Sequence, residues 1–240
     1  MEGKQKEKFV HEVFENIAPK YDLMNSILSF RIEKSWRNFT TKKMNVMEGQ
    51  TGIDVCCGTC DLTLSLANKS VSGKIIGLDF SKHMLDYGFR KVKYHQLENQ
   101  ISLIHGNAME LPFQDNTFDF ATIGFALRNV PDINHVLSEM KRVVKPGGKI
   151  VSLELSKPTW EPFKSLYFVY LQKILPVLGK LIANKYEEYR WLPQSLVKFP
   201  NYIELKRKFE QLGLENVQAY PLTGGIAALH IGIKAQYNKV

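Results

Sequence analysis

The sequence predicts an α/β fold with a mostly parallel sheet, and three observations lead to that class. From residue 51 onward, short apolar runs alternate with amphipathic segments, a pattern typical of strand–helix units in a parallel sheet. The last two apolar runs, residues 216–220 and 226–234, are joined by a loop too short for a crossover helix, so they are expected to pair antiparallel. The chain has 240 residues, of which 44% are hydrophobic, enough for a sizeable core in one domain.

The individual elements follow from hydrophobic periodicity and from residues that begin or end helices. Two helices, residues 6–18 and 33–47, are predicted ahead of the sheet. The next part of the chain is predicted to contain strands at 52–55, 74–78, 101–105, 118–123 and 149–155, and helices at 61–68, 82–96 and 132–144. Ser81 is the expected N-cap of its helix, and Pro146-Gly147-Gly148 is expected to stop the last of these helices and turn the chain.

An aromatic-rich helical stretch at residues 160–185 interrupts the alternation, and breaks are expected at Pro176 and Gly179. A further helix is predicted at 202–212, before the final strand pair. No repeat or linker composition divides the chain, so one domain is predicted. Its parts are an N-terminal helical extension (1–50), a core (51–155), a helical insertion (156–200) and a C-terminal helix with the strand pair (201–240).

The charge balance leaves the partners open. The net charge of +8 suits nucleic acid or an anionic membrane surface, but many soluble proteins are equally basic, so it predicts no partner by itself. The N-terminus has no apolar signal core, and no run of about 18 apolar residues is present. A cytoplasmic location is therefore expected.

All three cysteines, Cys56, Cys57 and Cys60, lie in one short segment. An odd, clustered set makes a poor disulfide framework and is typical of a reducing compartment. Cys57 and Cys60 have C-x-x-C spacing, but no second pair and no nearby histidine complete four metal ligands. Small side chains in a tight loop, without a metal, are the prediction.

Polar residues and glycines follow the carboxyl ends of the predicted parallel strands, where open α/β sheets bind their ligands. Asp79 ends the second strand about 20 residues after a glycine loop, where an acidic residue accepts hydrogen bonds from ribose hydroxyls. Asp54, at the start of that loop, would repel a pyrophosphate but attract an amino group. Because the dinucleotide fingerprint is also absent, the pattern favours S-adenosylmethionine. The predicted fold is therefore a Rossmann-like class I methyltransferase, with a seven-stranded mostly parallel sheet and an antiparallel last strand.

Other strand ends supply further expected contacts with this cofactor. Gly58 lets the backbone approach the cofactor closely, and Thr59 adds a hydroxyl beside it. Asn107 and Ala108, after the third strand, are expected to border the adenine, and Gly124 ends the fourth strand. Taken singly, each residue is more typical of an ordinary turn. Their order over four strand ends favours the cofactor site.

Longer motifs extend over nearly the whole chain. They comprise residues 21–25 with 28–29 and Trp36, GNAMELPF at 106–113, GFALRNV at 124–130, residues 142–148 continuing to 154–156, and Tyr189, Leu192 and Ser195 with 199–200 and 224–226. These motifs resemble the quinone C-methyltransferases of menaquinone and ubiquinone biosynthesis. That family's signature has histidine at the position of Glu33 and a basic or polar residue where Ile32 stands. The family usually has glycine at the position of Cys60 and often at that of Ala126.

The resemblance implies methyl transfer from S-adenosylmethionine to a ring carbon of a prenylated quinol. The loop at 54–58 and the run at 187–189 are closer to the menaquinone branch, so the implied reaction converts demethylmenaquinol to menaquinol. The alternatives are the ubiquinone branch, another small lipid acceptor such as a sterol or phospholipid, and a non-catalytic nucleoside-binding scaffold. No nucleic-acid partner is expected.

Arg128, Asn129 and Tyr21 are the predicted catalytic residues. A ring carbon becomes nucleophilic when a phenolic proton is lost. Arg128 stays protonated, so it is expected to stabilise the phenolate together with Asn129, while water carries the proton away. Tyr21 and Asn25 are expected to close over the pocket as a helical lid. The alternatives are a surface ion pair for Arg128 and simple helix packing for Tyr21, while His230 is expected to be a core histidine.

The stretch at 160–185 also offers a surface for a lipid substrate. Its apolar side chains are interspersed with Lys164, Lys173, Lys180 and Lys185. An apolar face rimmed by lysines suits an anionic membrane and the prenyl tail, so peripheral attachment at the inner face of the cell membrane is one expectation. A buried helix or a homodimer contact explains the same pattern equally well.

Overall fold

The chain forms a seven-stranded mixed sheet. The computed structural model describes residues 3–178, 180 and 186–236. The strands are β1 (Gly52–Val55), β2 (Ile75–Asp79), β3 (Ile101–His105), β4 (Phe118–Gly124), β5 (Val144–Leu155), β6 (Leu214–Leu222) and β7 (Ala227–Lys234). Their order in the sheet is β3-β2-β1-β4-β5-β7-β6. The first five strands pair parallel and β7 is antiparallel to both of its neighbours, which confirms the predicted arrangement.

The helices fall into three groups along the chain. Before the sheet come α1 (Gly3–Ile17), α2 (Tyr21–Leu28) and α3 (Ile32–Met44). Between the parallel strands lie α4 (Asp61–Ala67), α5 (Lys82–Tyr94) and α6 (Ile133–Val143). Between β5 and β6 come α7 (Phe163–Val169), α8 (Leu175–Leu178), α9 (Tyr186–Lys198) and α10 (Tyr202–Gln211). As predicted, the Ser81 hydroxyl caps α5 by accepting the Met84 N–H at 3.1 Å.

Apolar side chains cover both faces of the sheet. Adjacent residues of one strand point to opposite faces, and Phe120 and Ala121 of β4 accordingly belong to different buried clusters. One cluster includes Leu137 from α6 and Phe209 from α10, and the other includes Leu66 from α4. This double coverage is why the central strands β1 and β4 are buried along most of their length.

The centre of the sheet creates the crevice for a ligand. Strand β1 has β2 on one side and β4 on the other, so the strand order reverses there. The register pairs Val55 with Leu78 and with Ile123, which brings the carboxyl ends of the three strands to one edge. Open α/β sheets bind ligands at such a switch point.

The turn predicted at Pro146-Gly147-Gly148 is wrong. Helix α6 already ends at Val143, and β5 begins at Val144 and continues through these three residues. The pairing of β4 with β5 shifts here, because Phe118 pairs with Val144 whereas Phe120 pairs with Lys149. A Cβ atom on Gly148 would lie 2.6 Å from the Asp119 carbonyl oxygen, so the glycine permits a bulge pressed against the neighbouring strand.

The break predicted at Pro176 is also wrong, while the one at Gly179 lies outside the described residues. Helix α7 passes through a π-helical turn, Tyr170–Ile174, into α8, which contains Pro176. The Leu175 N–H donates to the Tyr170 carbonyl, five residues back. Such a widened turn changes the hydrogen-bond pattern just where proline lacks its N–H, so the helix continues.

The N-terminal extension has one more helix than predicted. The segment Ala18–Lys20 is a short 3-10 turn, and α2 follows it directly. Phe30 and Arg31 have positive φ angles between α2 and α3, and α3 ends at Met44 because Asn45 takes the left-handed conformation. The hydrophobic periodicity of the sequence did not predict these turns, because none of them contains the glycine that often indicates a turn.

Candidate active site

Three cavities meet at the switch-point edge of the sheet. The first cavity, about 690 Å³, lies between α1 and the ends of β1 to β4. The second cavity, about 1020 Å³, lies between the N-terminal helices and the helical insertion. The third cavity, about 480 Å³, follows the loop after β1. Tyr21 and Phe125 line all three, so these two rings mark the junction.

Asp79 is a buried carboxylate in the wall of the first cavity. Its Oδ2 accepts the Gly58 N–H at 2.8 Å and its Oδ1 accepts the Ser81 N–H at 2.9 Å. Burial raises the pKa of Asp79, although these amide donors oppose the rise. Gly58 has φ +54°, a conformation that turns its N–H toward the carboxylate and that glycine adopts without strain. Each carboxylate oxygen retains lone pairs for a ligand.

Asn107 and Ala108 line the same cavity beyond β3. The Asn107 Oδ1 accepts the Met109 N–H at 2.9 Å, and its Nδ2 donates to Glu7 Oε1 at 2.9 Å. Glu7 belongs to α1, which therefore forms a roof over the cavity. The Lys6 ammonium fastens this roof by donating to the carbonyls of Arg128 at 3.1 Å and Val130 at 2.6 Å.

Asp54 is the most deeply buried carboxylate of the third cavity. Its two oxygens accept the hydroxyls of Thr63 and Thr122, each at 2.7 Å. Burial nevertheless raises the pKa of Asp54 to about 6. Such a carboxylate is poised to accept a further, positively charged donor.

The opposite side of the third cavity carries a polar network. The Thr59 hydroxyl donates to Asp22 Oδ1 at 2.5 Å and accepts from Lys91 Nζ at 3.2 Å. Lys91 also pairs with Asp22 and Asp61, and Asp61 in turn lies 3.1 Å from Arg37 Nη2. This network ties α2 and α3 to the loop after β1. Gly124 lies at the boundary between the first and third cavities.

Arg128 lies in the wall of the second cavity and is held by a buried partner. The Nη1 atom donates to Glu154 Oε1 and to the Phe125 carbonyl at 2.5 Å. The side chains of Arg128 and Glu154 are only 9% and 1% exposed, so the alternative of a surface ion pair is wrong. The Arg128 Nε has no hydrogen-bond partner among the described residues. The guanidinium is thus fixed in place with an unused donor.

Asn129 lines both the first and the second cavity. Its Oδ1 accepts the Trp191 indole N–H at 2.9 Å, which fixes the orientation of the amide. Its Nδ2 is buried and has no partner within the described part of the chain. Buried donors are nearly always satisfied, so an unpaired amide at this junction points to a ligand.

Tyr21 and Asn25 come from α2, as the predicted lid requires. Both line the second and third cavities, and the Asn25 side chain hydrogen-bonds to Tyr21. Burial raises the pKa of the Tyr21 hydroxyl, which therefore stays protonated at neutral pH. The structure thus brings Tyr21, Arg128 and Asn129 to the walls of one cavity.

Comparison with known sequences now decides the family. The model of the ubiE/COQ5 methyltransferase family matches residues 1–234. The chain belongs to this family. This match confirms the prediction that the chain is a methyltransferase of the quinone biosynthesis family.

Individual members of the family are similar over nearly their whole length. A demethylmenaquinone methyltransferase of Bacillus cereus strain B4264 is 54% identical over 232 residues, covering 96% of this chain and 98% of its own. A demethylmenaquinone methyltransferase of Bacillus anthracis strain A0248 has the same identity and coverage.

Solved structures confirm the Rossmann-like methyltransferase fold. A methyltransferase described as SAM-dependent from Aquifex aeolicus has a TM-score of 0.59 and 19% identity, covering 82% of this chain and 88% of its own. A putative S-adenosyl-L-methionine-dependent methyltransferase from Methanococcus maripaludis has a TM-score of 0.64 and 17% identity, covering 94% and 95%. At these identities the likeness concerns the fold.

Cys60, where family members usually have glycine, occupies a strained position. Its φ is +69°, a conformation that explains why glycine is common there. Its sulfur packs where a Cβ on Gly88 of α5 would lie, at 2.4 Å, so Gly88 makes room for the larger residue. Cys57 Sγ lies 3.8 Å from Cys60 Sγ, and contact with Cys60 together with burial raises the pKa of Cys57. The described residues contain no cluster of three or more typical metal ligands.

Several residues of the site were missed in the sequence. They are Glu7 and Phe14 of α1, Glu33 of α3, Phe125, and Trp191 of α9. The periodicity of residues 6–18 predicts an amphipathic helix but does not say which cavity its apolar side covers. His230, in contrast, is buried as predicted. Its Nε2 donates to the Tyr202 carbonyl at 2.8 Å, and burial lowers its pKa to about 4.

Proposed function

We propose that this protein transfers the methyl group of S-adenosylmethionine to a ring carbon of demethylmenaquinol, giving menaquinol. The observation that carries the proposal is the junction of a first cavity with nucleoside-binding chemistry and a larger, mainly apolar second cavity. The names of the Bacillus relatives support the choice of acceptor. The first two cavities meet at Tyr21, Phe125 and Asn129, where the transferred group would pass.

The proposed nucleoside subsite is the first cavity. Asp79 would accept hydrogen bonds from the ribose hydroxyls, because both of its oxygens keep lone pairs beyond their amide donors. Ala108 would form a small wall of the adenine subsite, with Phe80 and Met109 as apolar neighbours, and Asn107 would border its polar edge. Gly58 and Gly124 would expose backbone to the cofactor.

The proposed methionine subsite is the third cavity. The amino group of the methionine moiety would bind Asp54, whose burial makes an added positive charge strongly favourable. Arg37 is the cation among the described lining residues, and its guanidinium suits the carboxylate of the same moiety. The Thr59 hydroxyl is already engaged by Asp22 and Lys91. Thr59 would therefore act on the cofactor indirectly, by holding the loop after β1 in position.

The proposed acceptor site is the second cavity. Bound S-adenosylmethionine supplies an electrophilic methyl group on a sulfonium. The protein would contribute mainly position, because an in-line displacement requires the ring carbon to face that methyl group at the junction. Arg128 Nε and Asn129 Nδ2, both unpaired among the described residues, would donate to the phenolic oxygen as it becomes negative. Tyr21 would close the junction and exclude water.

A peripheral membrane contact forms the second part of the proposal. In the described part of the chain, no helix has the length and hydropathy that a bilayer span requires. Large apolar side chains are nevertheless exposed on α2, on the turn after it and on α7: Leu23, Ile27, Phe30, Leu166 and Val169. The Tyr170 hydroxyl joins these two regions by donating to the Leu28 carbonyl at 2.8 Å. These five residues, called the exposed apolar face below, suit a lipid surface, and their chain neighbours Leu28, Ser29 and Tyr167 line the second cavity.

Transfer of labelled methyl groups to competing acceptors tests the acceptor. Purified protein is supplied with labelled S-adenosylmethionine and vesicles containing either demethylmenaquinol or the corresponding ubiquinone precursor. The proposal predicts label in menaquinol at a rate at least tenfold above that with the ubiquinone precursor. Preferred labelling of the ubiquinone precursor, a sterol or a phospholipid would identify that compound as the acceptor instead. Cofactor binding without any methyl transfer would favour a non-catalytic scaffold.

A further inference from the structure

The second cavity contains a proton acceptor that the predicted catalytic residues do not include. Methylation at carbon needs the phenolic proton of the acceptor to leave, and Arg128 cannot take it because a guanidinium stays protonated. Among the described residues that line the second cavity, Glu33 alone carries a carboxylate. It lies on α3, in the part of the wall that also includes Arg37.

The other titratable side chains of this wall are poor acceptors. Burial raises the pKa of the Tyr21, Tyr167 and Tyr170 hydroxyls, so all three stay protonated at neutral pH. Glu154 is engaged by Arg128 and by the backbone N–H of Leu155 at 2.8 Å, and it does not belong to the described lining. Among the described lining residues, the Glu33 carboxylate is therefore the side chain suited to accept a proton.

The Glu33 carboxylate is oriented but not saturated. Its residue is 5% exposed, its Oε2 contacts the Ser29 hydroxyl, and its Oε1 lies 3.4 Å from the Ser26 hydroxyl. Arg37, one turn along α3, lies 3.7 Å from the same Oε1. A carboxylate has about four acceptor positions, so capacity remains for an acceptor hydroxyl.

Glu33 can be replaced without leaving the Arg37 guanidinium unpaired. The Arg37 guanidinium also lies 3.1 Å from Asp61, closer than it lies to Glu33. Loss of the Glu33 charge would therefore leave Arg37 paired. This feature allows a variant to report on proton transfer rather than on collapse of the polar network.

We propose that Glu33 is the catalytic base of this enzyme, an inference that rests on the proposed aromatic quinol acceptor. Glu33 takes the proton of the acceptor hydroxyl, and the electron pair of that O–H bond stays on the oxygen and increases the electron density of the ring. The ring carbon beside it forms a bond to the methyl carbon, whose bond to sulfur breaks with both electrons left on the sulfur. The hydrogen of that ring carbon then leaves as a proton to water, its electron pair restores the ring, and Glu33 returns its proton to the oxygen.

The Glu33 carboxylate lies within a defined set of polar and charged neighbours. They are the Ser26 and Ser29 hydroxyls of α2, Arg37 of α3, Asp61 of α4 and Lys91 of α5 beyond it, and across the cavity Tyr21, Tyr167, Tyr170 and the Arg128–Glu154 pair. Arg37 is the nearest positive charge to this carboxylate.

Three substitutions of Glu33 separate a base from a structural role. Glu33→Gln keeps the shape and is expected to lower kcat by about 100- to 10,000-fold, the range of general-base effects, while cofactor affinity stays within threefold. Glu33→His supplies an imidazole, a side chain with a reference pKa near 6.5, so activity returns and the acidic limb of the kcat–pH profile moves to higher pH. Glu33→Asp is expected to keep the wild-type limb.

Raising the pH adds a rescue that a structural role would not produce. Without a base, only acceptor that is already ionised can react, so kcat of Glu33→Gln should rise about tenfold per pH unit while the wild type stays flat. Glu12→Gln, an equivalent change at an exposed position of α1, serves as the control and is expected to behave as wild type.

The proposed function and the base can fail separately in this experiment. The wild-type rate with demethylmenaquinol tests the function, whereas the ratio of variant to wild-type rates with any methylated quinol tests Glu33. The base is overturned if Glu33→Gln keeps kcat within threefold of wild type, or if active Glu33→His has an unshifted pH profile. Circular dichroism melting of each variant identifies a loss of activity that comes from unfolding.

Discussion

The proposed cofactor side and the proposed acceptor side of this protein are built in different ways. The first and third cavities rest on residues that follow β1, β2, β3 and β4, so their positions are set by the register of the parallel sheet. The second cavity is enclosed largely by helices that lie far apart in sequence, as the Trp191–Asn129 hydrogen bond illustrates. The strand ends can thus hold a cofactor while the shape of the acceptor cavity is set separately by the helices around it.

The largest expected effect tests whether the acceptor side also supports the fold. Arg128→Met leaves Glu154 buried without its cation, which is expected to lower the free energy of unfolding by about 3–5 kcal/mol. The double variant Arg128→Met with Glu154→Gln should regain most of this stability but remain inactive. Urea denaturation and methyl transfer measure the two properties.

The exposed Lys206–Glu210 pair provides the matched control for that experiment. Its side chains are 41% and 49% exposed, so Lys206→Met should change the unfolding free energy by less than about 1 kcal/mol. A double variant that recovers both stability and wild-type turnover would show that Arg128 has no catalytic role.

The second effect concerns the cofactor side alone. Asp79→Asn replaces charge-assisted acceptors and should weaken S-adenosylmethionine binding by about 10- to 100-fold, equivalent to about 1.5–3 kcal/mol. Isothermal titration calorimetry gives the cofactor Kd, and steady-state kinetics gives the KM of the acceptor, which should stay unchanged. Asp86→Asn, exposed on α5, is the control. A change confined to the acceptor KM would contradict the separation of the two sides.

A pH dependence of cofactor affinity is the third expected effect. The pKa of Asp54 is raised by burial to about 6, so its carboxylate is charged above this pH and neutral below it. Binding of an ammonium group should therefore weaken by roughly tenfold for each pH unit below 6 and level off above 7. Calorimetry between pH 5 and 8 measures this slope. The Asp54→Asn variant should bind weakly with no such step, and an unaltered step in that variant would assign the titration elsewhere.

The smallest effect concerns the surface outside the acceptor cavity. Phe30 is 75% exposed, and Phe30→Ser should reduce co-sedimentation with anionic vesicles by about three- to tenfold, since only part of its apolar surface would be buried there. The unfolding free energy should change by less than about 0.5 kcal/mol. Tyr94→Ser on α5, also highly exposed, should leave vesicle binding unchanged. Equal losses of vesicle binding for both variants would show that the exposed apolar face has no specific role in membrane contact.

The same contrast explains what the sequence could predict. Strand β1 and the N-cap of α5 were predictable because local periodicity and a single serine hydroxyl determine them. The bulge at Gly148 was not, because it depends on the neighbouring strand that carries Asp119. The proposed cofactor side was predictable because Asp54 and Asp79 lie near the carboxyl ends of two predicted parallel strands.

The acceptor side was harder to predict because its contacts join distant segments. Lys6 reaches carbonyls more than 120 residues away, and nothing in the local sequence of α1 specifies that partner. Glu33 differs from the histidine of the family signature, and its proposed role as a base rests on its place in the cavity wall. Tertiary packing of helices, rather than local pattern, determines this side.

The most direct test of the whole account is a single-turnover reaction of the protein with carbon-13-labelled methyl S-adenosylmethionine and demethylmenaquinol. Carbon NMR distinguishes a methyl group on a ring carbon from one on oxygen. The proposed arrangement, in which joined cofactor and acceptor cavities carry a base and two anion-stabilising donors, predicts the signal of an aryl C-methyl group. An O-methyl signal, or cofactor bound at full occupancy with no transfer, would contradict it.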